Sequence, residues 1–281
     1  MTPATAGHGA LRTHIFGPED ARSHVLALHG LTGHGGRWSG LAAEYLPDVR
    51  VVAPDLLGHG ASPWEPPWGI ADHVAAVSEV IDSHIRPEDL PVVVLAHSYG
   101  AAVALALAEA RPAAVTGLVL LDPAQGLDPE FARAVSEASL AHWTYPDAAA
   151  AESAKRAEGW GQVSQDVLDE EITEHLMPTT DGRVAWRVSA PATATAWSEM
   201  TRPFALPPAG VPTHVVVADR VDPPFVRPAF LEACARERAD TVRVHHVDTE
   251  HMVPYLAPET SANLVLELTR SIADEDTGAR T

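Results

Sequence analysis

The sequence predicts an α/β fold, a mostly parallel sheet flanked by helices and interrupted by one helical insertion. Three observations carry this. Short apolar runs recur at 24–28, 50–53, 92–96, 115–121, 215–218 and 242–247. Helix-like stretches separate most of them, and one long segment, 126–205, is helical in character with no convincing strand. Strands that alternate with helices imply a parallel sheet covered on both faces.

The individual elements follow from periodicity. Val92-Val93-Val94-Leu95 is apolar at every position, as a strand buried on both faces must be. Val74, Val77, Ile81 and Ile85 recur at helical spacing and mark one apolar face. Residues 99–110 are nearly all Ala, Val and Leu, so that helix is expected to be buried on most sides. A last helix starts near Pro258, a residue suited to a first turn, and carries Leu264, Val265, Leu268 and Ile272 on one side. The polar residues from 274 onward predict a frayed end.

The segment 126–205 is rich in Ala and Glu and holds Trp143, Trp160, Trp186 and Trp197, four of the seven tryptophans. It is about twice the length of an ordinary crossover. The domain reading is a core of 1–125 and 206–281 with a cap, or lid, at 126–205.

Composition narrows the class. The chain of 281 residues is 46% hydrophobic and 20% charged, as globular chains are. Its 19 basic and 38 acidic residues give a net charge of −19, which repels nucleic acid and anionic membrane surfaces. Cys234 is the single cysteine, so no internal disulfide can form. Met1–Ala10 lacks the basic start and apolar stretch of a secretory leader, and the expectation is a cytoplasmic chain. The expected partner is a small-molecule substrate, with no nucleic acid and no membrane; the sequence leaves a homo-oligomer open.

The chemistry is expected at Ala96-His97-Ser98-Tyr99-Gly100. This stretch follows a buried strand and opens a helix, so Ser98 stands on a sharp turn above the sheet. The common form is G-x-S-x-G; here Ala96, also small, holds the first position. A serine nucleophile needs a base, and the base needs an orienting acid. His251 follows the strand at 242–247 and is the expected general base. Asp222, in the loop after the strand at 215–218 and before Pro223-Pro224, is the preferred acid; Asp219 and Asp122 are the alternatives. The amides of Leu31, in the glycine-rich loop after Leu28-His29-Gly30, and of Tyr99 are the expected oxyanion donors. That loop does not match G-x-G-x-x-G, which argues against a dinucleotide site. A metal set of His245, His246, Asp248 and His251 is rejected, because adjacent strand residues point to opposite faces. No metal or other cofactor is expected.

Four blocks stand in order: Leu28-His29-Gly30, Asp55-Leu56-Leu57-Gly58-His59-Gly60-Ala61-Ser62, Ala96-His97-Ser98-Tyr99-Gly100 and Glu250-His251-Met252. By these the chain resembles the α/β-hydrolase superfamily across nearly its whole length, as a serine hydrolase with a helical cap. The resemblance implies that the second block is a structural loop, and that His29, His59 and His97 pack or hydrogen-bond near the pocket. The expected reaction is hydrolysis of a small, largely apolar carboxylic ester or lactone through an acyl-enzyme. Two alternatives are a carbon–carbon bond hydrolase with the same triad and a slow-turnover small-molecule receptor of the same fold.

Overall fold

Six apolar runs become six parallel strands of one sheet in the computed structural model, which describes residues 9–278. They are β2 (Ser23–Leu28), β3 (Val49–Pro54), β4 (Val92–His97), β5 (Val115–Leu121), β8 (Thr213–Ala218) and β9 (Val242–Val247). A further strand, β1 (Thr13–Phe16), pairs antiparallel with β3 at one edge. The spatial order is β1-β3-β2-β4-β5-β8-β9. β1 escapes prediction because its four residues, Thr-His-Ile-Phe, form no apolar run.

Side chains of a strand alternate between faces, and the two cores divide accordingly. Leu26, Val94, Leu120 and Val215 face α2 (Ile70–His84), α3 (Tyr99–Ala110) and α8 (Pro228–Glu237). Val25, Leu95, Leu121 and Val216 face α1 (Ser39–Tyr45) and α10 (Pro258–Gly278). The predicted face of α2 is inward at Val77, Ile81 and Ile85. Its start is secured by Asp72, whose carboxylate accepts the Gly69 N–H at 2.9 Å. α10 buries Leu264, Val265 and Leu268 and continues to Gly278, past the point where a frayed end was expected. The side chain of Ile272, residues 279–281 and most of Met1–Ala10 lie outside what is described.

Between β5 and β8 the chain leaves the sheet. It forms α4 (Pro129–Ala141), α5 (Ala148–Lys155), a π-helical turn (Arg156–Trp160), α6 (Gln165–His175), a hairpin of β6 (Leu176–Pro178) and β7 (Val184–Trp186), and α7 (Ala190–Met200). Asp128 and Asp147 start the first two helices by accepting the N–H groups of Phe131 and Ala150. The hairpin corrects the strandless reading of this segment. Each of its strands has three residues, too few to leave an alternating pattern. Entry and exit are clasped together. The Gln125 side-chain amide donates to Ala205 O at 3.1 Å and accepts the Ala205 N–H at 3.0 Å. α9 (Val253–Leu256) is a single turn before α10.

Two glycines show where this packing leaves no slack. A Cβ on Gly100 would lie 2.5 Å from His29 O and 2.7 Å from Leu28 O. Backbone oxygens cannot rotate aside, so Gly100→Ala is expected to destabilise the protein by about 1–3 kcal/mol. Gly40 on α1 has open space around the same position. There Gly→Ala is expected to stabilise by about 0.5–1 kcal/mol. Equilibrium unfolding in denaturant checks both signs.

Candidate active site

Ser98 occupies the one-residue junction between β4 and α3, with φ 54° and ψ −121°. A non-glycine residue at positive φ is uncommon and persists where its surroundings over-determine it. Here they do. The Ser98 N–H donates to Leu121 O at 3.0 Å, and Ser98 O accepts from Ala101 N and Ala124 N. The close approach of Gly100 to the end of β2 draws the start of α3 under the turn. Ala96 lies in register between Leu28 and Leu120, fully buried, so a methyl group is accommodated where the common motif has glycine.

His251 lies in the short loop between β9 and α9. Its Nε2 is 2.9 Å from Ser98 Oγ. Its Nδ1 is 2.6 Å from Asp122 Oδ2. The carboxylate at His251 is thus that of Asp122, the third alternative, and not that of the preferred Asp222. Asp222, the preferred candidate, is exposed on the loop after β8. Asp219 pairs instead with His246 at 2.8 Å. Asp122 directly follows β5, has φ 44°, and is 1% exposed. Its N–H donates to Val216 O at 2.8 Å, and its Oδ1 accepts the Ala218 N–H at 3.2 Å. The end of β8 thus supplies an amide to the Asp122 carboxylate. The loop that carries Asp222 contributes Phe225, whose ring centroid is 4.5 Å from that of His251.

His97 fixes the His251 loop from below. Its Nε2–H donates to His251 O at 2.9 Å, and the two rings are 4.6 Å apart. Burial, reinforced by the neighbouring His251, holds His97 well below the usual histidine range, so the ring stays neutral. His29 is likewise lowered well below by burial. It accepts the Leu56 N–H on Nε2 and donates from Nδ1 to Gly30 O at 2.7 Å. His59, pushed by burial down to about 4, bonds Leu57 O through Nδ1. These histidines are local hydrogen-bonding groups. The set rejected as a metal site is dispersed: His245 faces His214 at 2.9 Å, and His246 faces Asp219.

The two expected oxyanion donors belong to segments that adjoin Ser98. The Tyr99 amide is the first of α3, where a helix offers no internal acceptor. Leu31 belongs to the turn Gly30–Leu31–Thr32–Gly33, closed by Gly33 N–H to Gly30 O at 3.0 Å. A Cβ on Gly30 would fall 2.8 Å from Ser98 Cβ; only glycine lets this loop come so near.

The segment between β5 and β8 approaches His251. A Cβ on Gly159, in the π-helical turn, would sit 3.6 Å from His251 Cβ. Beside it lies a charged cluster that the sequence did not disclose. Glu171 of α6, 3% exposed, binds Lys155 Nζ at 2.6 Å, Arg37 Nη2 at 2.5 Å and His34 Nε2 at 3.1 Å. Lys155 also lies 3.5 Å from the centroid of the Trp186 ring. Burial would raise the Glu171 carboxyl; Arg37 and Lys155, with the His34 and Arg37 hydrogen bonds, overturn this and hold it well below the usual range. Burial pushes Lys155 down to about 8 against the pull of Glu171. The only advance signal was that Lys155 is the single lysine of the chain.

Residues 25–264 match the family model described as "Alpha/beta hydrolase family". Among curated proteins, Lipase LipV of Mycobacterium tuberculosis is 42% identical over 255 residues, covering 91% of this chain and 96% of its own. The pimeloyl-[acyl-carrier protein] methyl ester esterase of Methylococcus capsulatus is 38% identical over 105 residues, 37% of each chain. Among solved structures, E-2-(acetamidomethylene)succinate hydrolase superposes with a TM-score of 0.76 at 20% identity, covering 92% of this chain and 94% of that one. A thioesterase domain from the curacin biosynthetic pathway gives 0.70 at 25% identity, covering 90% and 94%. With the strand–Ser98–helix turn, its histidine and a match spanning most of the sequence, this chain belongs to the alpha/beta hydrolase family.

Proposed function

We propose that the chain hydrolyses small, largely apolar carboxylic esters or lactones through Ser98, His251 and Asp122. The observation that carries this reading is the unbroken relay from Ser98 Oγ through the His251 imidazole to a buried carboxylate, with bonds of 2.9 and 2.6 Å. The Asp122 carboxylate accepts from Nδ1–H, which leaves Nε2 free to take the serine proton. Ser98 Oγ then attacks the carbonyl carbon, and the oxygen gains negative charge between the Leu31 and Tyr99 amides. His251 returns the proton to the departing alkoxide, leaving an acyl-enzyme and an alcohol. Water adds by the same route, with His251 again as base, and releases the acid.

The substrate class rests on the wall beside His251. Phe131 of α4, Trp197 of α7 and Phe225 approach one another with ring centroids 6.3 to 6.4 Å apart. Such a cluster favours an apolar acyl or alcohol group over a charged one. Two of its rings come from the insertion, consistent with a cap that shapes the pocket. The name of the LipV relative, a lipase, points to the same bond.

Ser98→Ala is expected to lower kcat on a chromogenic short-chain ester by about 10⁴-fold or more while leaving the circular dichroism spectrum unchanged. Full turnover in that variant would exclude the mechanism. Asp122→Asn should cost about 10⁴-fold in kcat, whereas Asp222→Asn should stay within about twofold of the parent; the reverse order would restore Asp222 as the acid. Trp197→Ala is expected to cut kcat/KM for a medium-chain ester by about tenfold and to leave an acetyl ester nearly unaffected. Equal losses on both esters would remove this wall from the substrate pocket.

A further inference from the structure

The turn that presents the Leu31 amide has an unusual third residue. Thr32 has φ 60°, in the left-handed region where a β-branched side chain is strained. Glycine or asparagine is the ordinary choice at such a turn position. The turn therefore needs outside support, and Arg37 supplies it. Its Nη2 donates to Thr32 O at 2.9 Å. Its Nη1 lies 2.9 Å from where a Cβ on Gly33 would stand, so the guanidinium rests directly against the turn.

The same guanidinium is gripped from the insertion. Arg37 Nε donates to Glu171 Oε2 at 3.1 Å and Nη2 to Glu171 Oε1 at 2.5 Å. This is the two-pronged geometry in which arginine and a carboxylate fix each other's orientation. Lys155 Nζ binds the same oxygen, Glu171 Oε1, at 2.6 Å. Glu171 therefore separates two buried cations. Without its charge, the two buried cations Arg37 and Lys155 would repel each other, and Arg37 would lose the partner that aims it at Thr32. Arg37 also lies over the Trp160 ring at 4.8 Å. Trp160 adjoins Gly159, which stands over His251.

We infer that Glu171 is a positioning residue for catalysis. Acting through Arg37, it holds the Gly30–Gly33 turn in the form that aims the Leu31 amide at the oxyanion, so that seating of the insertion completes the site. The inference rests on the proposed serine-hydrolase reading. It distinguishes a cap that merely covers substrate from one that finishes the catalytic machinery. Only when α6 is seated does Thr32 O keep its donor in the aimed position.

The test compares the parent with Glu171→Gln and Arg37→Lys, using a chromogenic short-chain ester and two inhibitors. An alkyl boronic acid forms a tetrahedral adduct on Ser98 and needs the oxyanion donors. The matching primary carboxamide, with the same alkyl chain, binds as ground state only. Glu171→Gln is expected to lower kcat by about tenfold to a hundredfold, within the range for a compromised oxyanion donor. KM and amide-analogue affinity should hold steady, and boronate affinity should fall in step with kcat. Arg37→Lys keeps a cation beside Glu171 but lacks the planar fork that reaches both Thr32 and Glu171, and should behave likewise; it decides the matter if Glu171→Gln does not fold. A lower melting temperature with unchanged kcat and boronate affinity would mean a purely structural cluster and overturn the inference. Parallel losses in boronate and amide-analogue binding would overturn it too, because the defect would lie in substrate binding. Ser98→Ala in the same assay separates the two levels. If it is inactive while Glu171→Gln matches the parent, only this inference fails; if it is fully active, both fail.

Discussion

Asp122 reaches His251 across the ends of three adjacent strands, and the backbone ladder continues past those ends to hold it there. Ser98 N–H bonds to Leu121 O, Asp122 N–H to Val216 O, and Ala218 N–H to the carboxylate itself. Ser98 and Asp122 are thereby attached to neighbouring strands of one sheet. Only His251 arrives on a loop, and that loop is tethered by His97. Precision in a hydrogen-bonded site comes from groups whose supports cannot move independently. The positive φ values at Ser98 and Asp122 are what such attachment demands of the backbone, since both side chains must turn away from the strand direction immediately after a strand ends.

How much of this was legible depends on where the determining contact lies. The sheet and the meeting of Ser98 with His251 follow from local pattern: an unbroken apolar run, a small-residue turn, and a histidine just past the last strand. The acid does not. Asp122 and Asp222 both follow buried strands, and both loops look competent in one dimension. The choice is made by the β5–β8 register and by Phe225 occupying the space beside His251, neither of which has a periodicity to read. β1, β6 and β7 were missed because three- and four-residue strands form through their partners. Arg37 and Glu171 lie 134 residues apart, and each resembles an ordinary surface charge until the fold buries it.

The loop between β2 and α1 shows how two buried carboxylates can divide one task. Asp55, at the end of β3, accepts the Gly35 N–H at 2.8 Å and the Ala61 N–H at 2.9 Å and pairs with His14. Burial opposes its charge, yet the His14 and Ala61 hydrogen bonds prevail and hold it below the usual carboxylate range. Asp55 thus anchors the loop to the core through backbone amides, which have little freedom to rearrange. Glu171 grips the same loop two residues later, at Arg37, but through long side chains rooted in the insertion. Removing one partner of a buried ion pair such as Arg37–Glu171 costs about 3–5 kcal/mol because an unpaired charge stays behind. The asymmetry lies in what each tie is attached to. One is fixed to a strand end of the sheet; the other is fixed to a segment whose two ends meet at the Gln125–Ala205 clasp. If the segment moves about that clasp, Gly35 stays with Asp55 while Arg37 must choose between Thr32 and Glu171. The strain at Thr32 then concentrates any displacement in the turn that carries the Leu31 amide.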